Sequence, residues 1–123
     1  QGKLVRVVQG AAWDVAVDIR RGSPQFGRWV GVELSAENRR QLWIPEGFAH
    51  GFLALQDDST VMYLCSSGYH PDREHTISPV DPAIGIDWPT TVFGNELVLS
   101  DRDRAAPTLN QVRAAGVLPT WAR

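Results

Sequence analysis

Apolar positions recur every second residue along most of the chain, a period that predicts β-strands rather than helices. Ala12 to Ile19 is the clearest case, with Trp13, Val15, Val17 and Ile19 on one face and Asp14 and Asp18 on the other, the pattern of a half-buried strand. Gly10 separates it from Lys3-Leu4-Val5-Arg6-Val7-Val8, which predicts a hairpin-like break. From Phe26 to Leu34, Phe26, Val30, Val32 and Leu34 turn one way and Trp29 and Glu33 the other. Gly27 and Gly31 share the second face, where they leave room for a neighbouring sheet or a bound ring. Ser35-Ala36-Glu37-Asn38 reads as a turn and Arg39 to Ile44 as the next strand. Further strands are expected at Phe52 to Leu55, Thr60 to Cys65, Glu74 to Ser78 and Ile84 to Trp88. Only the tail carries a helical signature: Thr108 and Gln111 have the spacing of a capping box, and Gly116 is a natural stop. Short strands every 8 to 12 residues or so, with one terminal helix, predict an all-β sandwich or jelly-roll barrel in a single domain.

Within that frame, Trp43-Ile44-Pro45-Glu46-Gly47-Phe48-Ala49-His50-Gly51-Phe52 is the stretch on which apolar strands converge. Pro45 cannot donate to a central ladder and Gly47 tolerates backbone angles that other residues avoid, so Pro-Glu-Gly reads as a turn. His50, which opens the following strand, is flanked by Phe48 and Phe52 with small Ala49 and Gly51 between, and so points into an apolar cavity. It is either a satisfied core histidine or the centre of a site. Tyr63 lies in the middle of its strand, on the face of Val61 and Cys65. A small barrel is a natural ligand container, which makes its inward polar side chains the candidates.

Composition narrows the classes. At 123 residues, 43% hydrophobic and 21% charged, the chain is an ordinary globular domain. No apolar run approaches the roughly 18 residues of a membrane span, and no signal-peptide pattern is present. A net charge of −2 with intermixed signs offers nothing to nucleic acid or to a membrane surface. The lone Cys65 excludes an internal disulfide, fits a reducing cytoplasm, and is expected to fill core space. On charge alone, Lys3 reads as a surface lysine, Glu74 beside Arg73 and His75 as an exposed ion pair, and the run Ser100-Asp101-Arg102-Asp103-Arg104 as a solvated charged loop.

Pro45-Glu46-Gly47-Phe48-Ala49-His50 also fits P-x-G-x-x-H, one half of the cupin signature. The second half, with H-x-H and a downstream carboxylate, has no counterpart; His70 and His75, the other histidines, read as surface residues. One imidazole is too few ligands for zinc or iron, so no metal is expected.

Several segments together resemble the dTDP-4-dehydrorhamnose 3,5-epimerases of the RmlC type. They are Gly2 to Val7, Asp14 to Pro24, Trp43 to Phe52, Ile84 to Pro89, Ser100 to Asp103 and Ala105-Ala106-Pro107, in order and across almost the whole chain. The resemblance implies a cupin jelly-roll barrel with a short C-terminal helix, a cytoplasmic homodimer without cofactor. It also implies action on a dTDP-linked 4-keto-6-deoxyhexose, with inversion at C3 and C5. Each of those centres is alpha to the C4 ketone, so the reaction requires a base, a group that stabilises the enolate oxygen, and an acid on the opposite face. By the same resemblance Tyr63 is the proton donor, and Lys3 and His50 lie near the developing charge. Glu74 and Arg102 are substrate contacts, Arg102 standing where many relatives have lysine and suited to a diphosphate oxygen. Tyr69 is a neighbour of the sugar ring, and Asp103 is the carboxylate that orients the base histidine.

That histidine belongs, in the family, to a motif upstream of the segment where this chain begins, and no residue here matches it. His50 occupies a different family position. With no initiator methionine and only Gln1-Gly2 ahead of the first strand, residues 1–123 are expected to be the C-terminal two-thirds of a longer chain. The alternatives are an inert cupin that binds a nucleotide-sugar, a C3-only or C5-only epimerase, and, more remotely, a metal-dependent cupin enzyme.

Overall fold

The computed structural model describes residues 2–66, 76–89 and 97–121. Its strands are β1 (Lys3–Gln9), β2 (Ala11–Asp18), β3 (Trp29–Ser35), β4 (Gln41–Ile44), β5 (Phe48–Ala54) and β6 (Thr60–Cys65). Two short helices follow, α1 (Asp101–Arg104) and α2 (Leu109–Ala114). The strands form two antiparallel three-stranded sheets, in the orders β4-β1-β6 and β3-β2-β5, facing each other as in a jelly-roll barrel. The all-β expectation therefore holds.

The core lies between the sheets. Val5, Val7 and Ile44 from one sheet meet Ala12, Ala16 and Leu34 from the other, with Val32, Leu42, Phe48 and Val61 packed around them. Complete burial of a side chain such as Val5 or Leu34 contributes about 1.5–3 kcal/mol. A second cluster joins Leu109, Val112 and Leu118 to Ile19, Phe26, Ile77 and Ile84. It is tied down by Asp81, whose Oδ2 accepts from the Leu109 amide at 2.8 Å. The capping box is present, since Thr108 Oγ1 accepts from the Gln111 amide and the Gln111 side chain accepts from the Thr108 amide. Gly116 follows α2 with φ +75°.

Five expectations need correction. Gly10, with φ +77°, does not close a hairpin. β1 pairs with β4 and β6 while β2 pairs with β3 and β5, so Gly10 carries the chain from one sheet to the other. Secondly, β2 is not half-buried. It is the central strand of its sheet, and of its residues only Trp13 is more than minimally exposed. Thirdly, 76–78 and 84–88 are not strands; Trp88 is held instead by Nε1 donating to the Pro79 carbonyl at 2.8 Å. Residues 74 and 75 of the first of these segments lie outside the described residues. Finally, Cys65 is an exposed free thiol rather than core filler, and the charged run around Arg102 forms α1, capped by Ser100 Oγ accepting from the Asp103 amide at 3.1 Å.

Gly31 does make room for a ring, and the ring is the chain's own. A Cβ there would sit 2.4 Å from Trp13 Cζ2.

Candidate active site

The strand registers decide which side chains enter the barrel. In β1 and β6, Lys3 stands opposite Cys65 and Val5 opposite Tyr63, so Lys3 and Tyr63 share the core-facing side with Val5. In the other sheet His50 stands opposite Ala16, a core residue, and so points inward too. Lys3 Nζ lies 5.4 Å from the centroid of the Tyr63 ring, a cation–π contact that holds the ammonium beside the phenol. Half of Tyr63 remains exposed. That exposure is to a cavity of about 940 Å³.

This cavity gathers Lys3, His50, Tyr63, Arg102 and Asp103 with an apolar wall that includes Phe48, Phe52, Ile77 and Trp88. The five polar residues come from β1, β5, β6 and α1, and only the tertiary fold brings them together. Its size suits a ligand larger than a monosaccharide, and its lining of apolar surface with a few convergent polar groups is that of a ligand site. Arg102 is braced by Nε donating to Thr76 Oγ1 at 3.0 Å. Tyr69 and Glu74 lie outside the described residues, as do His70 and His75.

His50 has a carboxylate partner that the alternating pattern concealed. Its Nε2 lies 2.5 Å from Asp14 Oδ1, both side chains nearly inaccessible. Across the β2–β5 ladder Asp14 stands opposite Phe52, diagonal to His50, a spacing within reach of both side chains. The signal was present in the chain. The face Ala12, Asp14, Ala16, Asp18 has small residues between the acids and none of the lysine, arginine or threonine that a solvated strand face carries.

The loop that delivers His50 is fixed from below. Asp18, on the same face of β2, accepts from Arg20 Nε at 3.0 Å, Arg20 Nη2 at 2.9 Å, the Arg20 amide at 3.0 Å and Ser23 Oγ at 2.6 Å. These Arg20 contacts hold the Asp18 carboxyl at about 2, below the ordinary 3.8, although burial pushes it the other way. The guanidinium then stacks on Phe48, 4.7 Å from the ring centroid. Gly47, with φ +88°, lets the backbone pass over the Arg20 stem, since a Cβ there would stand 2.7 Å from Arg20 Cγ.

The chain is similar to proteins of known activity. A family model described as dTDP-4-dehydrorhamnose 3,5-epimerase matches residues 1–111. The dTDP-4-dehydrorhamnose 3,5-epimerase of Mycobacterium tuberculosis is 58% identical over 121 residues, 98% of this chain and 59% of that protein. The chain thus spans about three-fifths of the length of that relative. Among solved structures, the RmlC of Legionella pneumophila in complex with dTDP-4-keto-L-rhamnose superposes with a TM-score of 0.91 at 51% identity, covering 99% of this chain and 63% of the other. ChmJ, a 3'-monoepimerase from Streptomyces bikiniensis in complex with dTDP-quinovose, gives 0.89 at 49% identity, covering 97% and 59%.

Proposed function

The chain belongs to the dTDP-4-dehydrorhamnose 3,5-epimerase family, and from that premise we propose that the protein inverts C3 and C5 of dTDP-4-keto-6-deoxyglucose to give dTDP-4-keto-L-rhamnose. The observation that carries this reading is the convergence of Lys3, His50, Tyr63, Arg102 and Asp103 on one cavity. Both stereocentres are alpha to the same ketone. One enolate-stabilising arrangement therefore serves both inversions, with Lys3 and His50 as the cationic and imidazole groups near the oxygen that gains charge. Tyr63 is the acid that returns a proton to the face opposite the base. Arg102 pairs with a diphosphate oxygen, as a planar fork of donors can, and Glu74 and Tyr69 contact the sugar.

Asp103 acts as the carboxylate that orients the base histidine, which no residue of this chain matches. Proton removal and return at one carbon leaves the oxidation state unchanged, so the reaction requires no redox cofactor. The enzyme works as a cytoplasmic homodimer, in a compartment that suits the free thiol of Cys65.

The test is proton exchange in deuterated water by protein expressed from its complete gene. Deuterium is expected at C3 and C5 of the keto-sugar, and uptake at neither carbon removes the enzyme reading in favour of a cupin that only binds nucleotide-sugar. Tyr63→Phe keeps the ring and loses the acid, so inversion should fall about 10²-fold or more while dTDP binding, read by thermal shift, persists. The ChmJ likeness favours one second reading, an epimerase acting at C3 alone. Label at C3 without C5 would establish it.

A further inference from the structure

Asp14 is almost wholly buried on the central strand of its sheet, and no arginine or lysine is paired with it among the described residues. Its register partners are the apolar Val32 and Phe52. Of its two oxygens, Oδ1 meets His50 Nε2, while Oδ2 has no hydrogen-bond partner among the described residues. Burying a half-satisfied carboxylate in an apolar barrel is strongly unfavourable, and a group that persists in that state calls for an explanation other than stability. His50 supplies one. Its ring packs beside Phe52, with centroids 6.2 Å apart, and lines the cavity. Its second nitrogen, Nδ1, bonds no described residue and is not among the buried unpartnered atoms.

We infer that Asp14 is a positioning residue: by accepting the Nε2 proton of His50 it fixes the ring's tautomer and plane, so that Nδ1 is the nitrogen presented to the ligand in the cavity. The chemistry of the partner makes this specific. An ionised carboxylate only accepts, so with Asp14 charged Nε2 carries the hydrogen and Nδ1 is the nitrogen left for the sugar. An asparagine of the same shape can offer either its oxygen or its amide, and would leave the tautomer undecided. The role rests on the epimerase reading for its kinetic consequence, but the protonation pattern of the ring does not.

The experiment is a long-range proton–nitrogen correlation spectrum of the His50 ring in the unmodified protein and in Asp14→Asn. It is joined by kinetics of Asp14→Asn, His50→Gln and the double variant, all expressed from the complete gene. The unmodified protein should show Nε2 protonated in a single form, and Asp14→Asn a mixture. The substitution should lower kcat/KM about ten- to a hundredfold, as loss of a residue that orients a functional histidine does, and add nothing further in the His50→Gln background. A bare Nε2 in the unmodified protein overturns the inference. So does an Asp14→Asn enzyme within about twofold of the parent, or a loss that multiplies fully with that of His50→Gln. If Asp14→Asn fails to fold, the spectrum of the unmodified protein still decides. Absence of deuterium uptake by the parent would end the epimerase reading and leave the nitrogen assignment standing.

Discussion

Two aspartates four residues apart on the same face of β2, both about 1% exposed, have opposite surroundings. Asp18 receives four hydrogen bonds and an arginine's charge. Asp14 has one imidazole and an oxygen with no partner among the described residues. Burial alone would rank them equal, and the degree of satisfaction separates them. The satisfied acid fastens the loop that carries Gly47 and Phe48; the half-satisfied one faces the cavity through His50. Asp18 belongs to the scaffold and Asp14 to the site, and each substitution below is chosen for the side of that division it should disturb.

The largest effect on stability is expected from Asp18→Ala, which leaves Arg20 and Ser23 without their acceptor. Breaking a buried ion pair costs about 3–5 kcal/mol, and because Arg20 keeps a quarter of its side chain in solvent the loss should lie near 3. Denaturant unfolding measures it. Deuterium exchange per folded molecule should stay within about twofold of the parent, since additivity holds for sites with no shared partner. A variant that loses exchange while keeping its stability would place Asp18 in the site and break the comparison.

Gly47→Ala should cost less, about 1–2 kcal/mol, from a residue forced to φ +88° and a methyl pressed against Arg20. The comparison sharpens in combination. Arg20 resists the methyl only while Asp18 pins it, so Gly47→Ala should cost less in the Asp18→Ala background than alone. Equal costs in the two backgrounds would mean that the backbone angle, and not Arg20, is what Gly47 serves.

Much of this was legible in the chain, for reasons particular residues make clear. The strands β2 and β6, the turn at Ser35 to Asn38 and the Thr108–Gln111 capping box are local features, and local sequence predicts them. The inward direction of His50 follows from its aromatic neighbours, and the family resemblance singles out Lys3, Tyr63, Arg102 and Asp103, which line the same cavity. Strand pairing was not legible at Gly10, because a period of two is the same whether the next strand pairs with the last or faces it from the opposite sheet. The four-residue α1 is too short to show a helical period. At 76–78 and 84–88 the apolar residues pack over a sheet's outer surface and toward α2 without joining a ladder. Asp14 is not legible because a polar strand face reads as a wet one, whereas in a barrel the polar face of a central strand can turn inward.

The last effect is in acid, and it isolates the charge of Asp18 from its shape. Its pKa is about 2 in the folded protein against 3.8 for an ordinary aspartate, so the unfolded chain binds the proton first as pH falls. The stability that Asp18 contributes is therefore complete above the unfolded value, declines as pH falls from about 4 toward 2, and is gone once the folded carboxyl is itself protonated. Asp18→Asn removes that titration while keeping the shape. The stability difference between parent and variant should be constant from pH 7 to about 5 and should shrink steadily between about 4 and 2. Unfolding curves at pH 6, 4 and 3 would measure it. A difference that stays constant down to pH 3 would mean that Arg20 and Ser23 hold the side chain by its shape and not by its charge.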